Sequence, residues 1–338
     1  MTSSELVVAI DGGNSKTDVL LVDATGNVLG EARGPGASPQ NVGVDACVET
    51  LERLVLAAHE DAGLAAERPF AVHTSAYLAG LDLPEEEEIL HAALIARGWS
   101  PSLTVGNDTF ALLRAGTSSG TGVAVVCGAG INCVGVGPDG RVHRFPALGR
   151  ISGDWGGGSH LGEEALWWAV RAEDGRGPST ALLPAVKAHF GVDAVVEVVH
   201  RLHFGRLSVH ALNELSPVLF EVAGTGDEVA QGVVDRLIEE VSVLAGVSLR
   251  RLGLAGGTPE VILGGGVLTG VAEPVITEIE RRCRKVAPHA VFRVVDVAPV
   301  VGAALLGLDA IGADLDAKER LRVLSGGVVS ESRKDSHG

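Results

Sequence analysis

The sequence predicts an α/β protein made of two similar halves, and two observations support this prediction. Segments 7–30 and 124–142 each read as an apolar run, a Gly-rich turn, a second apolar run, an Asp/Gly turn and the start of a third strand. The predicted elements then follow the order β-β-β-α-β-α-β-α in the first half, and the second half repeats this order with a large helical insertion. Strands that alternate with helices are typical of sheets covered by helices. The length of 338 residues is sufficient for two domains.

In the first half, short apolar and β-branched runs bounded by turn residues predict strands. These strands are predicted at 6–10, 17–22, 28–33, 70–74 and 103–105. Apolar residues at helical spacing predict a helix over 44–60, and a short helix is predicted over 109–115. Pro84 and the four Glu residues after it are typical of a helix start, where proline and acids are favoured. We therefore interpret this acidic run as a solvated first turn and not as a metal site.

The second half begins after a small-residue stretch, TSSGTG at 117–122, which predicts the junction. Its strands are predicted at 123–127, 133–136, 141–145, 261–263 and 291–295, around a mostly helical stretch over 160–254. An apolar helix is predicted over 299–311. We accordingly predict domains at 1–117 and 118–298, with helix 299–312 rejoining the first domain, and a flexible tail over 325–338.

Composition and charge exclude several classes of function. The net charge of −16 disfavours nucleic acid and anionic membranes as partners. No apolar run reaches the roughly 18–20 residues that span a bilayer, and the first residues lack the pattern of a signal peptide. The four cysteines form no CxxC pair, which favours reduced core thiols. We expect a cytoplasmic protein with neither a nucleic-acid nor a membrane partner.

Three Gly-rich turns follow predicted strands, at 11–17, 128–132 and 264–266. Glycine lets backbone N–H groups approach an anion closely, so phosphate is the first ligand to consider. The first turn is not a P-loop, because Ser15 stands where a glycine must precede Lys16 and a strand follows. The second lacks the third glycine of a dinucleotide fingerprint, since Cys133 occupies that position.

A nucleophile-elbow pattern at 116–120 lies between a helix and a strand. This order is the reverse of what the elbow requires, so a serine hydrolase is rejected.

The motifs fit one superfamily in order. DGGNSKT at 11–17 is followed by a strand, GND stands at 106–108 ahead of the second Gly hairpin, and AGLD at 79–82 is similar to a recurrent family segment. The chain resembles the actin-like sugar kinases and ATPases, from about residue 7 to 312. Within them it is similar to the N-acetylglucosamine kinase branch of the BadF/BadG/BcrA/BcrD ATPase family. The resemblance implies two ribonuclease H-like (actin-like ATPase) domains with a nucleotide and sugar cleft between them, ATP and Mg²⁺ as cofactors, and a homodimer.

The resemblance also implies roles for single residues. Asp11 would orient Mg²⁺, directly or through water, and Asp108 would be the catalytic base that accepts the proton of the sugar hydroxyl. The residues that would hold ATP are Gly12, Gly13, Ser15, Lys16, Thr17, Gly128, Ala129, Gly130, Gly264 and Gly265. The residues that would contact the sugar are Ser38, Asn41, Asn107, Asp108, Asn132, Asp154 and Gly158.

Each of these assignments has a structural alternative. Asp11 could cap a turn, and Asp108 could cap the helix that follows it. Asp154 could stabilise a Gly-rich turn, and 264–266 could be a tight strand-to-helix connection. Three departures from the family pattern bear on the identity of the substrate more than on the type of reaction. They are Ala129 for a usual Thr, Leu148 for a Trp and Trp155 for a Glu.

The leading hypothesis is an ATP-dependent kinase that phosphorylates N-acetylglucosamine at its 6-hydroxyl. Glucosamine and N-acetylmuramic acid are alternative substrates. Two other classes compete: an ATPase that activates a dehydratase or reductase through an iron–sulfur cluster shared by two subunits, and a sugar sensor without catalysis. Cys127 and Cys133 lie on apolar strands, which is a poor position for cluster ligands.

Overall fold

We analysed a computed structural model of the chain, which describes residues 6–65, 67–295 and 297–332. Its internal contacts divide these residues into two compact units. Unit 1 contains residues 6–124 and 295–332, and unit 2 contains residues 125–294. The division falls inside a strand, just after the small-residue loop at which the sequence predicts the junction.

The strands alternate with helices along both units. In chain order the strands are β1 (Leu6–Gly12), β2 (Lys16–Asp23), β3 (Val28–Pro35), β4 (His73–Leu78), β5 (Ser102–Asn107), β6 (Gly122–Cys127), β7 (Ile131–Val136), β8 (Val142–Arg144), β9 (Glu260–Gly264) and β10 (Val291–Val294). The helices are α1 (Pro39–Val42), α2 (Val44–Asp61), α3 (Pro84–Ala96), α4 (Asp108–Gly116), α5 (Gly157–Glu173), α6 (Leu182–Phe190), α7 (Val196–His203), α8 (Leu215–Gly224), α9 (Glu228–Arg251), α10 (Gly266–Gly270), α11 (Glu273–Cys283), α12 (Pro299–Ala310) and α13 (Leu315–Ser332). Two short 3-10 segments lie at Gly149–Ser152 and Val209–Glu214.

The sheet of unit 1 has the strand order β3-β2-β1-β4-β5. β1 pairs antiparallel with β2 and parallel with β4, which in turn pairs parallel with β5. The parallel register aligns Gly12 with Leu78 and Leu78 with Asn107. The carboxyl ends of three strands therefore stop at the same level, and the residues that follow them share one edge of the sheet.

Both faces of this sheet are buried. Every residue of β1 is buried, which explains why its sequence shows no polar alternation. Val8 and Ile10 pack into one core cluster with residues of α2 and α3. Val7 and Ala9 face the other cluster, which residues of α12 fill. The chain thus returns after unit 2 to complete the core of unit 1.

Close approach of α12 to α4 depends on a small residue. A Cβ at Gly302 would lie 1.8 Å from the carbonyl oxygen of Ala111. At the end of the same pair of helices, the buried guanidinium of Arg114 donates from Nε to Asp309 at 2.7 Å. Because α4 begins at Asp108, the packing of α12 also supports the site described below.

The sheet of unit 2 has the order β10-β9-β6-β7-β8, with β9 and β10 parallel and β7 and β8 antiparallel. Helices α5–α9 form the helical insertion between β8 and β9. The longest, α9, buries one apolar face that includes Leu237 and Val241. The two sheets with their helices confirm the α/β class predicted from the sequence.

The boundaries of one predicted strand are wrong. The strand predicted at 70–74 is β4 at His73–Leu78, because Phe70 and Ala71 are buried without joining the β1 ladder. Apolar composition indicates burial, whereas backbone pairing decides where a strand begins and ends.

The flexible tail over 325–338 stays a prediction. Helix α13 continues to Ser332, and residues 333–338 lie outside the described residues. Ala317 and Leu321 anchor α13 by burial.

All four cysteines are buried and free of disulfides, as their sequence context predicts. Among the described residues, none of the helices combines the length and the apolar character that a bilayer crossing requires.

We expect Gly302→Ala to lower the free energy of unfolding by about 2 kcal/mol, since the added methyl group must displace α12 from α4. Chemical denaturation followed by circular dichroism would measure the loss. Gly232→Ala is the matched control, because a Cβ at this position in α9 meets nothing within 4 Å. The control should gain about 0.5–1 kcal/mol from helix propensity. Equal stability of Gly302→Ala and the unsubstituted protein would contradict the packing argument.

Candidate active site

The candidate site of unit 1 lies at the edge where β1, β4 and β5 end together. Asp11 is the penultimate residue of β1, segment 79–82 follows β4, and Asp108 follows β5. Ligands of open α/β sheets bind outside the carboxyl ends of the strands, so this edge is the expected position for a site. The amide of Ala79 donates to the carbonyl of Gly12 at 2.8 Å and joins two of the three segments directly.

The hairpin between β1 and β2 presents polar groups to solvent. Its turn closes through the Gly13 amide, which donates to the carbonyl of Lys16 at 2.8 Å. Ser15 and Lys16 are exposed at the turn, whereas Thr17 is buried. No hydrogen-bond partner of the Thr17 hydroxyl is found among the described residues. Hydroxyl, ammonium and turn amides together form a set of donors suited to an anion.

Asp11 carries the strongest electrostatic perturbation of this edge. Its carboxyl is buried, and β pairing places it directly opposite Asp18. Asp18 accepts from the Arg33 guanidinium and lies 3.2 Å from the Lys16 ammonium. Burial first, and then the charges of Asp108 and Asp18, raise the pKa of Asp11 to about 8, although Lys16 lowers it. Asp11 therefore needs a proton or a cation to be stable in this position.

Asp108 begins α4 but does not cap it. The cap is Asn107, whose side-chain oxygen accepts from the Thr109 amide at 3.0 Å. The N-cap position predicted as the alternative for Asp108 therefore belongs to Asn107, while the Asp108 carboxyl also interacts with the Thr109 amide. Its carboxyl is partly buried, and burial followed by the charge of Asp82 raises its pKa to about 6. A carboxylate with this pKa is ionised at neutral pH and is a stronger base than an ordinary aspartate.

The donor set of this edge fits Mg²⁺. Carboxylate oxygens are the protein ligands that this hard cation prefers, and one or two of them suffice when phosphates supply the rest. Lys16 lowers the pKa of the buried Asp11 carboxyl, but burial and the neighbouring carboxyls outweigh its effect. The described residues contain no group of three or more His, Cys, Asp or Glu side chains arranged for a metal. The arrangement accordingly suits a cation shared with a phosphate ligand and not a site made by the protein alone.

The segment that carries Ser38 and Asn41 packs on the hairpin of β1 and β2. The Ala37 amide donates to the carbonyl of Gly13 at 3.2 Å, and the Asn41 amide side chain donates to Asn14 Oδ1 at 2.9 Å. The Ser38 hydroxyl is buried and finds no partner among the described residues. The two predicted sugar contacts are thus tied to the predicted phosphate turn.

The second Gly hairpin belongs to unit 2 and connects β6 to β7. The Gly128 amide donates to the Gly130 carbonyl at 2.9 Å. A Cβ at either glycine would meet nothing within 4 Å, so packing within the protein does not require glycine there. Glycines that face open space leave the backbone accessible, as a ligand surface lined by backbone groups requires. Ala129 between them is exposed.

The start of α5 packs against this hairpin. The amides of Gly158 and Ser159 donate to the carbonyls of Gly128 and Ala129 at 2.8 and 3.0 Å. A Cβ at Gly157, where φ is +80°, would lie 2.5 Å from Gly130. The Gly158 amide is therefore already used by the hairpin, so Gly158 holds the turn in place.

Asp154 and Asn132 also belong to unit 2. Asp154 is buried and accepts from the Ser152 hydroxyl at 2.5 Å, which leaves its other oxygen for further donors. Asn132 directs its side-chain oxygen to the next amide, of Cys133, at 2.7 Å. Trp155, which follows Asp154, is buried, stacks on His160 and lies under the Arg236 guanidinium at 4.0 Å. The position of the usual family Glu is thus occupied by a packed indole.

The third Gly turn has a structural reason of its own. Gly264 ends β9, and Gly265, with φ of +85°, caps α10. A Cβ at Gly265 would lie 2.6 Å from the backbone of Cys127. The tight connection alone therefore requires glycine at 265, and an adenosine contact stays a prediction.

The structure brings the predicted residues of each unit together. In unit 1 they are Asp11, Gly12, Gly13, Ser15, Lys16, Thr17, Ser38, Asn41, Asn107 and Asp108. Sequence reasoning missed Asn14, Gln40 and Asp82, whose side chains connect these segments. The only sequence signal was the AGLD segment that contains Asp82, because hydrogen bonds between distant segments leave no local pattern.

The pattern of strands, Gly hairpins and acids can be compared with known proteins. A model of the BadF/BadG/BcrA/BcrD ATPase family matches residues 8–307. The chain belongs to the BadF/BadG/BcrA/BcrD ATPase family. The resemblance identified from its motifs is thereby confirmed.

This ATPase family member has curated relatives along most of its length. It is 25% identical over 319 residues to the N-acetyl-D-glucosamine kinase of Dictyostelium discoideum, with 91% of this chain and 99% of that protein covered. It is 23% identical over 266 residues to the N-acetylmuramic acid/N-acetylglucosamine kinase of Clostridium acetobutylicum, with 78% and 86% covered.

The fold of this family member also matches a solved structure. The crystal structure of a candidate N-acetylglucosamine kinase from Chromobacterium violaceum superimposes with a TM-score of 0.70 at 22% identity, covering 90% of this chain and 100% of that one. At this level of identity the likeness concerns the fold, and it agrees with the two five-stranded sheets described above.

We expect Asp11→Asn to stabilise the metal-free protein at high pH. Because the pKa of Asp11 is raised from 3.8 to about 8, the folded state keeps a proton that the unfolded state loses, and stability falls as pH rises from about 4 to 8. The amide removes this penalty, so the free energy of unfolding should rise by several kcal/mol above pH 8.5 and by clearly less at pH 5. Thermal unfolding with a chelator present would measure both.

Glu49→Gln is the control for this prediction, because Glu49 is exposed on α2. Its effect should be small and equal at the two pH values. The same gain for Asp11→Asn at pH 5 and pH 8.5 would refute the raised pKa.

Proposed function

We propose that this chain is an ATP-dependent amino-sugar kinase that transfers the γ-phosphoryl group to the 6-hydroxyl of N-acetylglucosamine. One observation carries the proposal: the base Asp108 and the donor-rich turn with Lys16 share one sheet edge in unit 1. The two curated relatives are named as kinases of N-acetylglucosamine, alone or together with N-acetylmuramic acid. Membership of an ATPase family supports ATP as the phosphoryl donor.

Asp108 would act as the general base. Its carboxylate accepts the proton of the sugar hydroxyl while the hydroxyl oxygen forms a bond to the γ-phosphorus and the bond to the β-phosphate oxygen breaks, so that ADP leaves. The pKa of about 6 keeps Asp108 ionised at neutral pH and still able to hold the proton. Its place at the start of a helix fixed by the Asn107 cap limits its movement. Phosphoryl transfer relies mainly on such positioning.

The phosphate groups would be held by the first hairpin. The backbone of Gly12 and Gly13 allows close approach, and the side chains of Ser15, Lys16 and Thr17 supply donors. The unpartnered buried hydroxyl of Thr17 supports this role. Mg²⁺, when bound, neutralises phosphate charge, and Asp11 is the residue that would hold it.

The residues of unit 2 would complete the ligand contacts. Gly128, Ala129 and Gly130 would offer backbone to the phosphates, and Gly264 and Gly265 would face the adenosine. Asn132 and Asp154 would bind sugar hydroxyls, with Gly158 holding the hairpin behind them. Ser38 and Asn41 of unit 1 would contribute further sugar contacts.

Three residues bear on the choice among amino sugars. The buried Trp155 removes the carboxylate that the family pattern places there, and Ala129 removes a hydroxyl. The exposed Leu148 replaces an aromatic ring. We propose N-acetylglucosamine because the two relatives that cover most of this chain are named for it. Glucosamine, for which a third curated relative with 66% of this chain covered is named, and N-acetylmuramic acid are the alternatives.

The activator hypothesis is disfavoured by the cysteines. Cys127 and Cys133 are buried, and burial raises the pKa of each thiol to about 12. A cluster shared by two subunits needs cysteines at the surface where the subunits meet, and these two side chains are buried within unit 2. The cytoplasmic location, the homodimer and the cleft for nucleotide and sugar stay proposals that rest on the family resemblance.

We expect sugar-stimulated ADP release with N-acetylglucosamine. A coupled assay with ATP and Mg²⁺ over N-acetylglucosamine, glucosamine, N-acetylmuramic acid and N-acetylmannosamine would compare kcat/KM values. Failure of every sugar to stimulate turnover would refute the kinase assignment. A preference for another amino sugar would keep the reaction and correct the substrate.

We expect Asp108→Asn to lower kcat by about 10²–10⁴-fold, because the amide cannot accept the hydroxyl proton. The Kd for ATP, measured by isothermal titration calorimetry, should change by less than about threefold, as the phosphate turn is unaltered. Retained turnover would show that Asp108 is not the base.

A further inference from the structure

We propose that Asp82 is a positioning residue, which holds the helix start that carries Asp108 and the segment 38–41 in one fixed arrangement. The proposal rests on the kinase function proposed above. No motif or ligand role assigned so far uses Asp82, although it ends the AGLD segment at the same sheet edge.

The first contact of Asp82 is with the residue before Asp108. Asn107 Nδ2 donates to Asp82 Oδ1 at 2.9 Å and to the Leu81 carbonyl at 3.2 Å. The other end of the same amide, Asn107 Oδ1, caps α4 at the Thr109 amide. The orientation of the Asn107 amide is therefore determined on both sides, and Asp82 supplies a charged acceptor for its Nδ2. A charged acceptor strengthens such a bond and restricts the first turn of α4.

The second contact of Asp82 reaches the segment of the predicted sugar residues. Gln40 Nε2 donates to Asp82 Oδ2 at 3.3 Å and to Glu86 Oε1 at 3.0 Å. Glu86 Oε2 in turn accepts from the amides of Asp82 and Leu83 at 2.8 and 2.9 Å. Each oxygen of Asp82 thus serves a different segment, and the start of α3 holds Asp82 itself.

Packing supports the same connection. A Cβ at Gly80, where φ is +78°, would lie 2.5 Å from Ser38 Oγ, so the two segments approach as closely as a glycine permits. Asn41 extends the connection to Asn14 in the phosphate turn. A displacement of segment 38–41 would therefore reach both Asp82 and the turn.

The charge of Asp82 adds an electrostatic effect to the geometric one. It contributes to the raised pKa of Asp108, after burial. Removal of this charge would make Asp108 a weaker base, in the same direction as a loss of position. Both effects act on turnover through Asp108, whereas the bond to Gln40 acts on the sugar segment.

Steady-state kinetics of the full chain with its best sugar separate the effect of Asp82 on Asp108 from its effect on segment 38–41. Asp82→Asn cannot accept from Asn107 and Gln40 at once, so kcat should fall at least about tenfold and the KM for the sugar should rise at least about threefold. Gln40→Leu removes the bonds of segment 38–41 to Asp82 and Glu86 and leaves the bond between Asn107 and Asp82, so the KM for the sugar should rise about threefold while kcat stays within about twofold. The rise in KM of the double variant should be smaller than the product of the two single rises, because both changes act on the bond between Gln40 and Asp82.

Glu88→Gln is the matched control, since this exposed carboxylate lies on α3 outside the network. Its kcat and KM should be unchanged. A merely structural role of Asp82 would lower the active fraction, and hence kcat, without moving the KM for the sugar. Unchanged kinetics of Asp82→Asn, or a fall of kcat alone, would overturn the proposal.

If Asp82→Asn does not fold, Gln40→Leu still tests the proposal, because Gln40 is exposed. An unchanged KM in Gln40→Leu would overturn the connection to segment 38–41. The unsubstituted protein keeps the two proposals distinguishable, because absence of sugar-dependent turnover there refutes the kinase function, whereas turnover that is insensitive to Asp82 refutes only this inference.

Discussion

The parallel pairing of β1, β4 and β5 is the constraint on which the candidate site of unit 1 depends. Backbone hydrogen bonds place Gly12, Leu78 and Asn107 side by side, so that whatever follows each strand shares one edge. The acids Asp11 and Asp108 come close because of this register, although about a hundred residues separate them in the chain. A shift by one residue in either pair would reverse the face to which a side chain points and separate them.

Placing these carboxyls close together destabilises the folded protein. Asp11 lies buried among other carboxyls, which raises its pKa to about 8. The sheet around it is covered on both faces, and α12 completes the core behind it. The stability of the packed sheet offsets the unfavourable charge, and the cation and phosphate proposed for this edge would neutralise it. Perturbed pKa values of this kind are common at the functional sites of enzymes.

Polar side chains then connect the segments that the backbone only brings near. Asn14, Gln40 and Asp82 link the phosphate turn, the predicted sugar segment and the start of α4. Unit 2 is built in a similar way. Its hairpin of Gly128 to Gly130 is open to solvent, and amides at the start of α5 donate to the carbonyls of this hairpin. Some predicted ligand contacts, such as Asn41, Asn107 and Gly158, also take part in fixing the position of their segments.

The sequence by itself determined the α/β class, most strands, the Gly turns and the identity of the acids, because apolar periodicity, glycine and turn residues act locally. It also determined the family, because several motifs occur in this chain in the order that the family shows. Only the tertiary structure decided that Asn107 and not Asp108 caps α4, that Gly158 supports the hairpin with its amide, and that Asp82 bridges two segments. These facts depend on contacts between residues far apart in the chain, and such contacts arise from strand pairing and packing, which local patterns do not encode.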